Sequence, residues 1–221
     1  MIITLDGPAG SGKSTIARML AQRLGIEYID SGAMYRTLTL YGIRQFGQAQ
    51  GHEAQIAQYF AQAPQALQVS FEAHAQVVRL NGEEVTQAIR DPELTRQIRY
   101  VAGFGPCRDY VNASMRELAQ AYSVVVDGRD IGTLVFPESK NKFYLDADPK
   151  IRAERRALEL GQPTSGPTFE ALVKEINDRD HSDMTRDLAP LVCPPDAHRI
   201  DTSRLDRPQV LAAIEARLQA D

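Results

Sequence analysis

Eight consecutive residues, Gly7-Pro8-Ala9-Gly10-Ser11-Gly12-Lys13-Ser14, satisfy the pattern G-x-x-x-x-G-K-[ST] at every constrained position. That pattern holds a nucleoside triphosphate. Its glycines let the loop curl so that successive backbone N–H groups point inward, and a following helix adds its positive N-terminal end. Lys13 is then placed to reach the β- and γ-phosphates, and the Ser14 hydroxyl to ligate Mg²⁺. The context is the required one. The β-branched run Ile2-Ile3-Thr4-Leu5 precedes the loop, and Ile16, Met19, Leu20 and Leu24 follow at the spacing of one helix face.

Other charged residues fall where a parallel sheet would present them, at strand ends. Asp6 directly precedes the loop and reads as a hydrogen-bond acceptor that orients it. Asp127 ends the apolar run Val124-Val125-Val126 and suits the acidic residue that holds Mg²⁺, through water. Asp30-Ser31-Gly32-Ala33-Met34-Tyr35-Arg36 leads into a helix whose free N–H groups, with Arg36 one turn in, could hold a second anion. Asp127-Gly128-Arg129-Asp130 adds an arginine and a carboxylate. Later, Arg179, Asp183 and Arg186 are spaced to share one helix face, as are Arg152, Arg155 and Arg156. Planar, permanently charged guanidiniums stabilise the negative charge that spreads over a transferring phosphoryl group. No Ser-His-Asp arrangement, His/Cys metal cluster or dinucleotide fingerprint is visible. A phosphate acceptor needs none of them, because with a second pKa near roughly 6 it is already largely dianionic at neutral pH.

The elements that must position these groups are legible in outline. Five core strands are expected at 2–6, 26–29, 123–127, 142–146 and 197–201. Helices are expected at 13–24, 33–46, 105–121 and 148–160, with others from Asp91-Pro92, from Phe169 into the polar stretch 177–187, and from Pro208 to Ala220. This is an α/β chain with a five-stranded parallel sheet flanked by helices. Residues 47–68 show weak helical character and no chemistry. Residues 67–71 and 77–80 alternate like strands, and the Asn81-Gly82 turn returns the chain through Glu83-Glu84-Val85, which marks a small antiparallel insertion over about 62–95. The core is then 1–61 and 96–221. A polar helical lid lies within about 160–190, able to close over phosphates and exclude water.

At 221 residues, 43% apolar and 24% charged, the chain has the composition of a globular protein with one sizeable core. A net charge of −4 argues against general nucleic-acid binding. Cys107 and Cys193 are too few for a disulfide framework and suggest a reducing compartment. No apolar run approaches membrane-spanning length. A first strand at residue 2 leaves no room for a signal peptide ahead of it, so the expectation is a cytoplasmic protein without membrane or nucleic-acid partners.

Taken together, the residues resemble those of the bacterial cytidylate kinases, in the nucleoside-monophosphate kinase family of P-loop proteins. The likeness runs through Gly7 to Ser14 with Thr15, Asp30 to Arg36, Asn81-Gly82-Glu83-Glu84-Val85-Thr86, and Val126 to Thr133. It continues in Phe143-Tyr144-Leu145-Asp146-Ala147 and Ile200-Asp201-Thr202-Ser203. The resemblance implies a nucleoside-monophosphate kinase core with an enlarged monophosphate-binding insertion and an arginine-bearing lid. It also implies transfer of the γ-phosphate of ATP to CMP or dCMP with Mg²⁺. A monomer acting on small-molecule nucleotides is expected. By position, Ser31, Tyr35, Arg36 and Arg129 would hold the monophosphate, with Arg179 and Arg186 closing on it. Arg108 and Asp130 would read the cytosine, and Asp183 would contact the acceptor's sugar. The chain departs from the family pattern at Arg99, where a serine is usual, at Pro106, one residue late, and at Ser182 and Met184, where basic residues are common. Two further readings stay open, a P-loop kinase for another monophosphate such as UMP and a regulatory nucleotide switch.

Overall fold

The structure is a computed structural model, and it describes residues 1–219. In chain order the elements are β1 (Ile2–Asp6), α1 (Lys13–Leu24), β2 (Glu27–Asp30), α2 (Ser31–Phe46), α3 (Glu53–Gln62), β3 (Leu67–Glu72), β4 (Ala75–Leu80) and β5 (Glu83–Glu84). After these come α4 (Pro92–Ala102), α5 (Gly105–Ala121), β6 (Val124–Asp127), β7 (Asn141–Asp146), α6 (Pro149–Glu159), α7 (Pro167–Thr185), β8 (His198–Asp201) and α8 (Arg207–Glu215). Five strands form one sheet in the order β2-β6-β1-β7-β8, and β3-β4-β5 form a second. β7 pairs in parallel with both β1 and β8. All five expected core strands exist, each within about two residues of its predicted bounds. The closing helix ends at Glu215 rather than running on to Ala220, which lies outside the described residues.

The chain divides into two compact units. One comprises Met1–Leu20 and the chain from Val125 onward; the other is Ala21–Val124. In the first, β1 and β7 are buried almost throughout, as strands covered on both faces must be. Gly7 leaves β1 at φ 143°, and a Cβ there would lie 2.0 Å from the Leu145 carbonyl oxygen. Only glycine lets the loop start this close to the neighbouring strand. α6 and α7 pack through a seam of Ala153, Ala157, Phe169 and Ile176, flanked by Leu172 and Val173.

In the second unit, β3 and β4 run antiparallel from Leu67 opposite Leu80 to Glu72 opposite Ala75. The β4–β5 connection is the predicted Asn-Gly turn, with Asn81 at φ 52° and Gly82 at φ 83°. The β3–β4 turn has the same left-handed backbone but is built from Ala73 at φ 48° and His74 at φ 62°. Nothing in those two residue types announces it. The weakly helical stretch after Gly47 resolves into α3, held by buried Ile56, Ala57 and Phe60.

Candidate active site

In the first unit, β1 and β6 each deliver an aspartate at their carboxyl ends, and α1 begins at the lysine of the glycine loop. Lys13 is 4% exposed, and its Nζ donates to the Pro8 carbonyl oxygen at 2.7 Å. Burial, and next the Arg129 charge, push its pKa well below the ordinary lysine range, against the opposing pull of Asp127 and Asp6. Ser14 Oγ donates to Asp127 Oδ2 at 2.6 Å, which sets a hydroxyl beside a carboxylate at the loop's exit. Just past β8, the Thr202 hydroxyl lies 3.1 Å from the Ser11 carbonyl oxygen and 3.0 Å from that of Asp146. The Ser11 hydroxyl is buried without a hydrogen-bond partner.

Asp6 is a hydrogen-bond acceptor as expected, but what it orients is not the glycine loop, a correction to the sequence reading. Its carboxylate accepts from Ile131 N at 2.9 Å and Gly132 N at 2.7 Å, and so fixes a wide helical turn over Ile131–Val135. Arg129 and Asp130 lie in the short span between β6 and that turn. Burial raises the Asp6 pKa from 3.8 to about 6, partly offset by those two N–H groups. The folded chain therefore holds this proton more tightly than the unfolded chain does. The associated stability is complete below about pH 4 and is lost as pH rises through about 6, a change on the order of 2–3 kcal/mol. Asp6→Asn removes the titration, so the stability of wild type relative to this variant should fall between pH 4.5 and pH 7. Urea unfolding of both proteins at the two pH values checks this.

Residues of α7 and the turn after it meet the same span. Arg129 Nε donates to Asp183 Oδ2 at 2.9 Å, and Arg129 Nη1 to its neighbour's carbonyl, Gly128 O, at 3.2 Å. Arg186 Nη2 lies 3.6 Å from Asp130 Oδ1, and its Nε donates to Ala189 O at 2.6 Å. Arg179 adds its positive charge at both Lys13 and Asp183. Burial alone would raise the Asp183 carboxyl, but Arg129, then Arg179 and Arg186, bring it below its usual value. The spacing argument needs one correction. α7 ends at Thr185, and Arg186 is extended at φ −65°, ψ 141°, so the three residues do not share a helical face. They converge because the chain turns back after the helix, with Leu191 N donating to Asp183 O at 2.8 Å. The other arginine trio also separates. Arg155 Nη2 donates to Thr202 O at 2.6 Å, and Arg156 meets Glu159 on the surface at 3.1 Å.

The second unit holds Ser31, Tyr35, Arg36 and Arg108. Asp30 caps α2, its Oδ1 accepting from Ala33 N at 2.8 Å. Its Oδ2 meets two guanidiniums, Arg36 Nη2 at 3.0 Å and Arg90 Nη1 at 2.9 Å. Against the effect of burial, these two charges hold the carboxyl below its ordinary value. One carboxylate under two guanidiniums leaves an excess positive charge at a helix N-terminus, and Arg36 Nε is buried with no partner. That arrangement suits an anion. Arg90 is absent from the sequence reading because it stands in no motif and belongs to a short 3₁₀ turn, Ala88–Arg90. The backbone N–H of Asp30 donates to Gln76 Oε1 at 2.6 Å, which ties β4 to the head of α2. Arg108 is buried, donates to Ala102 O at 3.0 Å, and stands over the Tyr35 ring at 5.6 Å.

A strand, glycine loop and helix carrying a buried lysine, a hydroxyl–carboxylate pair and Arg129 just past the neighbouring strand end define a P-loop phosphotransferase. The family model described as "Cytidylate kinase" matches residues 3–220. A cytidylate kinase of Chlorobaculum tepidum is 41% identical over 210 residues, 93% of this chain and 87% of that protein. One from Solibacter usitatus is 41% identical over 216 residues, 97% and 90% of the two chains. Among solved structures, an uncharacterized protein from Eubacterium ventriosum superposes with a TM-score of 0.54 at 13% identity, over 98% of this chain and 96% of its own, a likeness of fold. The chain belongs to the cytidylate kinase family. Membership makes it a phosphotransferase with ATP as the phosphate donor and CMP as the acceptor.

Proposed function

We propose that this chain transfers the γ-phosphate of ATP to CMP or dCMP, giving CDP or dCDP and ADP, with Mg²⁺. Gly7 to Thr15 cradle the donor, with Lys13 on its β- and γ-phosphates. Ser31, Tyr35, Arg36 and Arg129 hold the acceptor phosphate, Arg108 and Asp130 read the cytosine, and Asp183 meets the sugar. Arg179 and Arg186 complete the charge around the transferring group from the lid (about 160–190). The insertion over about 62–95 then belongs to monophosphate binding, through Gln76 and Arg90. The observation that carries the reading is the Asp30–Arg36–Arg90 cluster, since a second anion holder is superfluous in a protein that only switches on nucleotide.

The chemistry needs little beyond placement. The acceptor phosphate is mostly dianionic at pH 7 and attacks without a general base. The residues' work is to align it in line with the γ-phosphate and to match the spreading negative charge with fixed guanidiniums and loop N–H groups. The Ser14 hydroxyl and Asp127 carboxylate are hard oxygen donors of the kind Mg²⁺ takes, and they would hold it together with phosphate oxygens and water. When bound, the ion neutralises charge on the β- and γ-phosphates. Among the described residues no helix is long and apolar enough to cross a membrane. Cys107 and Cys193 are both free thiols, which supports a reducing compartment. With the family membership, the reading is of a monomer acting in pyrimidine nucleotide metabolism in the cytoplasm.

An acceptor panel with ATP and Mg²⁺, read by coupled ADP release, tests the substrate. CMP and dCMP should outrun UMP, AMP and dTMP, and equal or better turnover with AMP or dTMP would defeat the cytosine assignment. Arg36→Ala should raise the KM for CMP by about tenfold or more, the cost of a charged hydrogen bond, while leaving the KM for ATP within twofold. Unchanged CMP kinetics would remove Arg36 from the acceptor pocket.

A further inference from the structure

Arg152 is 2% exposed, yet all three of its nitrogens are used, each on a different segment of the first unit. Nε donates to Ala147 O, ahead of α6, at 2.9 Å. Nη1 donates to Ala9 O in the glycine loop at 2.9 Å, and Nη2 to Asp180 Oδ2 on α7 at 2.5 Å. The contact with the loop is also steric. Gly10 sits at φ 76°, and a Cβ there would lie 3.2 Å from Arg152 Cβ and 3.3 Å from Arg152 O. Helix α6 is thus pressed onto the loop at the residue beside the carbonyl its arginine holds.

On α7 the packed stripe Phe169, Val173, Ile176 continues at helical spacing into Asp180 and Asp183. Apolar contact fixes the seam as far as Ile176; beyond it, the partners are Arg152 for Asp180 and Arg129 for Asp183. A buried ion pair adds little net stability over a well-packed apolar pair, but it does select one register and one rotation. An apolar pair also has no donor to offer Ala9 O.

We infer that Arg152 is a positioning residue that locks the lid helix to the phosphate loop, so that α7 presents Arg179 and Asp183 correctly only when the loop has its ATP-holding shape. This rests on the kinase reading above. Outward-facing carbonyls are what a phosphate loop is left with when its N–H groups turn inward. Arg152 holds one of these, and Asp180 carries its position to α7. Asp180 Oδ1 is buried with no partner, so the pair depends on this one contact.

The test uses the full chain with Arg152→Met, Arg152→Lys, Asp180→Asn and the double variant Arg152→Met/Asp180→Asn. For Arg152→Met and Asp180→Asn, kcat/KM for ATP should fall by about 10- to 100-fold, the usual effect of misplacement from beyond the reacting groups. CMP affinity by equilibrium dialysis should fall clearly less than ATP affinity, because Ser31, Tyr35 and Arg36 are untouched and only the Asp183 contact is displaced. The double variant should be no worse than Arg152→Met alone, because the two residues act as one unit. Arg152→Lys keeps a charge for Asp180 but cannot reach all three acceptors. It should recover the melting temperature without recovering ATP affinity, measured by dialysis in the absence of CMP. Additive losses, equal loss of ATP and CMP binding, or full rescue of ATP affinity by lysine would overturn the inference. Should Arg152→Met not fold, Asp180→Asn and Arg152→Lys carry the same comparison. A wild type that phosphorylates no cytidine monophosphate would instead count against the kinase reading, and ATP dialysis would still judge Arg152.

Discussion

Lys13→Ala should cost at least about 10²–10³-fold in kcat, the scale lost when a preorganised donor is removed from a charge-stabilising site. The amine sits 2.7 Å from the Pro8 carbonyl oxygen, within the loop proposed to cradle the donor. Its pKa is depressed first by burial and then by Arg129. A lysine with a lowered folded-state pKa contributes stability only above its unfolded value, near 10.5, and loses it as pH falls through the folded one. Because pH 7 lies far below that unfolded value, the folded chain disfavours the ammonium there, and the fold carries this residue at a cost. Alanine, a good helix former at the first position of α1, should therefore melt at or above the wild-type temperature while activity disappears. Parallel thermal melts and steady-state assays with ATP and CMP check both halves. Undiminished turnover would refute the assigned role, and an unfolded variant would refute the stability argument.

Much of this site was legible because its residues are fixed locally. A glycine loop between a strand and a helix is a statement about consecutive backbone angles, and Gly7 through Ser14 spell it without any distant contact. The sheet strands were equally plain, since Val124 to Val126 is a continuous β-branched run of the sort buried on both faces. What escaped the sequence depends on tertiary accident. Arg90 reaches Asp30 from a turn sixty positions away along the chain. Arg186 was expected on the face of α7, but helix periodicity says nothing about where a helix stops when no glycine or proline marks its end. Arg152, Arg155 and Arg156 looked alike at i, i+3 and i+4. Only packing separates a buried strut from a residue bonded to Thr202 and a residue in a surface pair. The Ala73-His74 turn shows the same limit. Two left-handed non-glycine residues are strained, and the β3–β4 pairing holds them there.

Arg129→Ala is the other change expected to be severe, with kcat down by about 10²- to 10³-fold as a guanidinium at the transferring group is lost. It should differ from Lys13→Ala in stability. Asp183 is mostly buried, and its carboxyl is held below the usual range, against burial, by Arg129 ahead of Arg179 and Arg186. A carboxylate with a depressed folded-state pKa contributes stability above its unfolded value, near 3.8, and loses it as pH falls through the folded one. At pH 7 that contribution is intact in wild type and shrinks when Arg129 is removed. The expected cost is about 1–3 kcal/mol for a buried charge that loses its partner. Arg129→Ala should therefore be inactive and less stable at pH 7, whereas Lys13→Ala should be inactive and no less stable. Arg129→Lys keeps the charge but not the fork that serves Asp183 and the Gly128 carbonyl together, and should recover less than about a tenth of the lost kcat. Urea unfolding at pH 7 and steady-state CMP kinetics for these variants decide the matter. Unchanged CMP kinetics in Arg129→Ala would take this arginine out of the proposed acceptor site, and equal stability would show that its bond to Asp183 does not hold α7 in place.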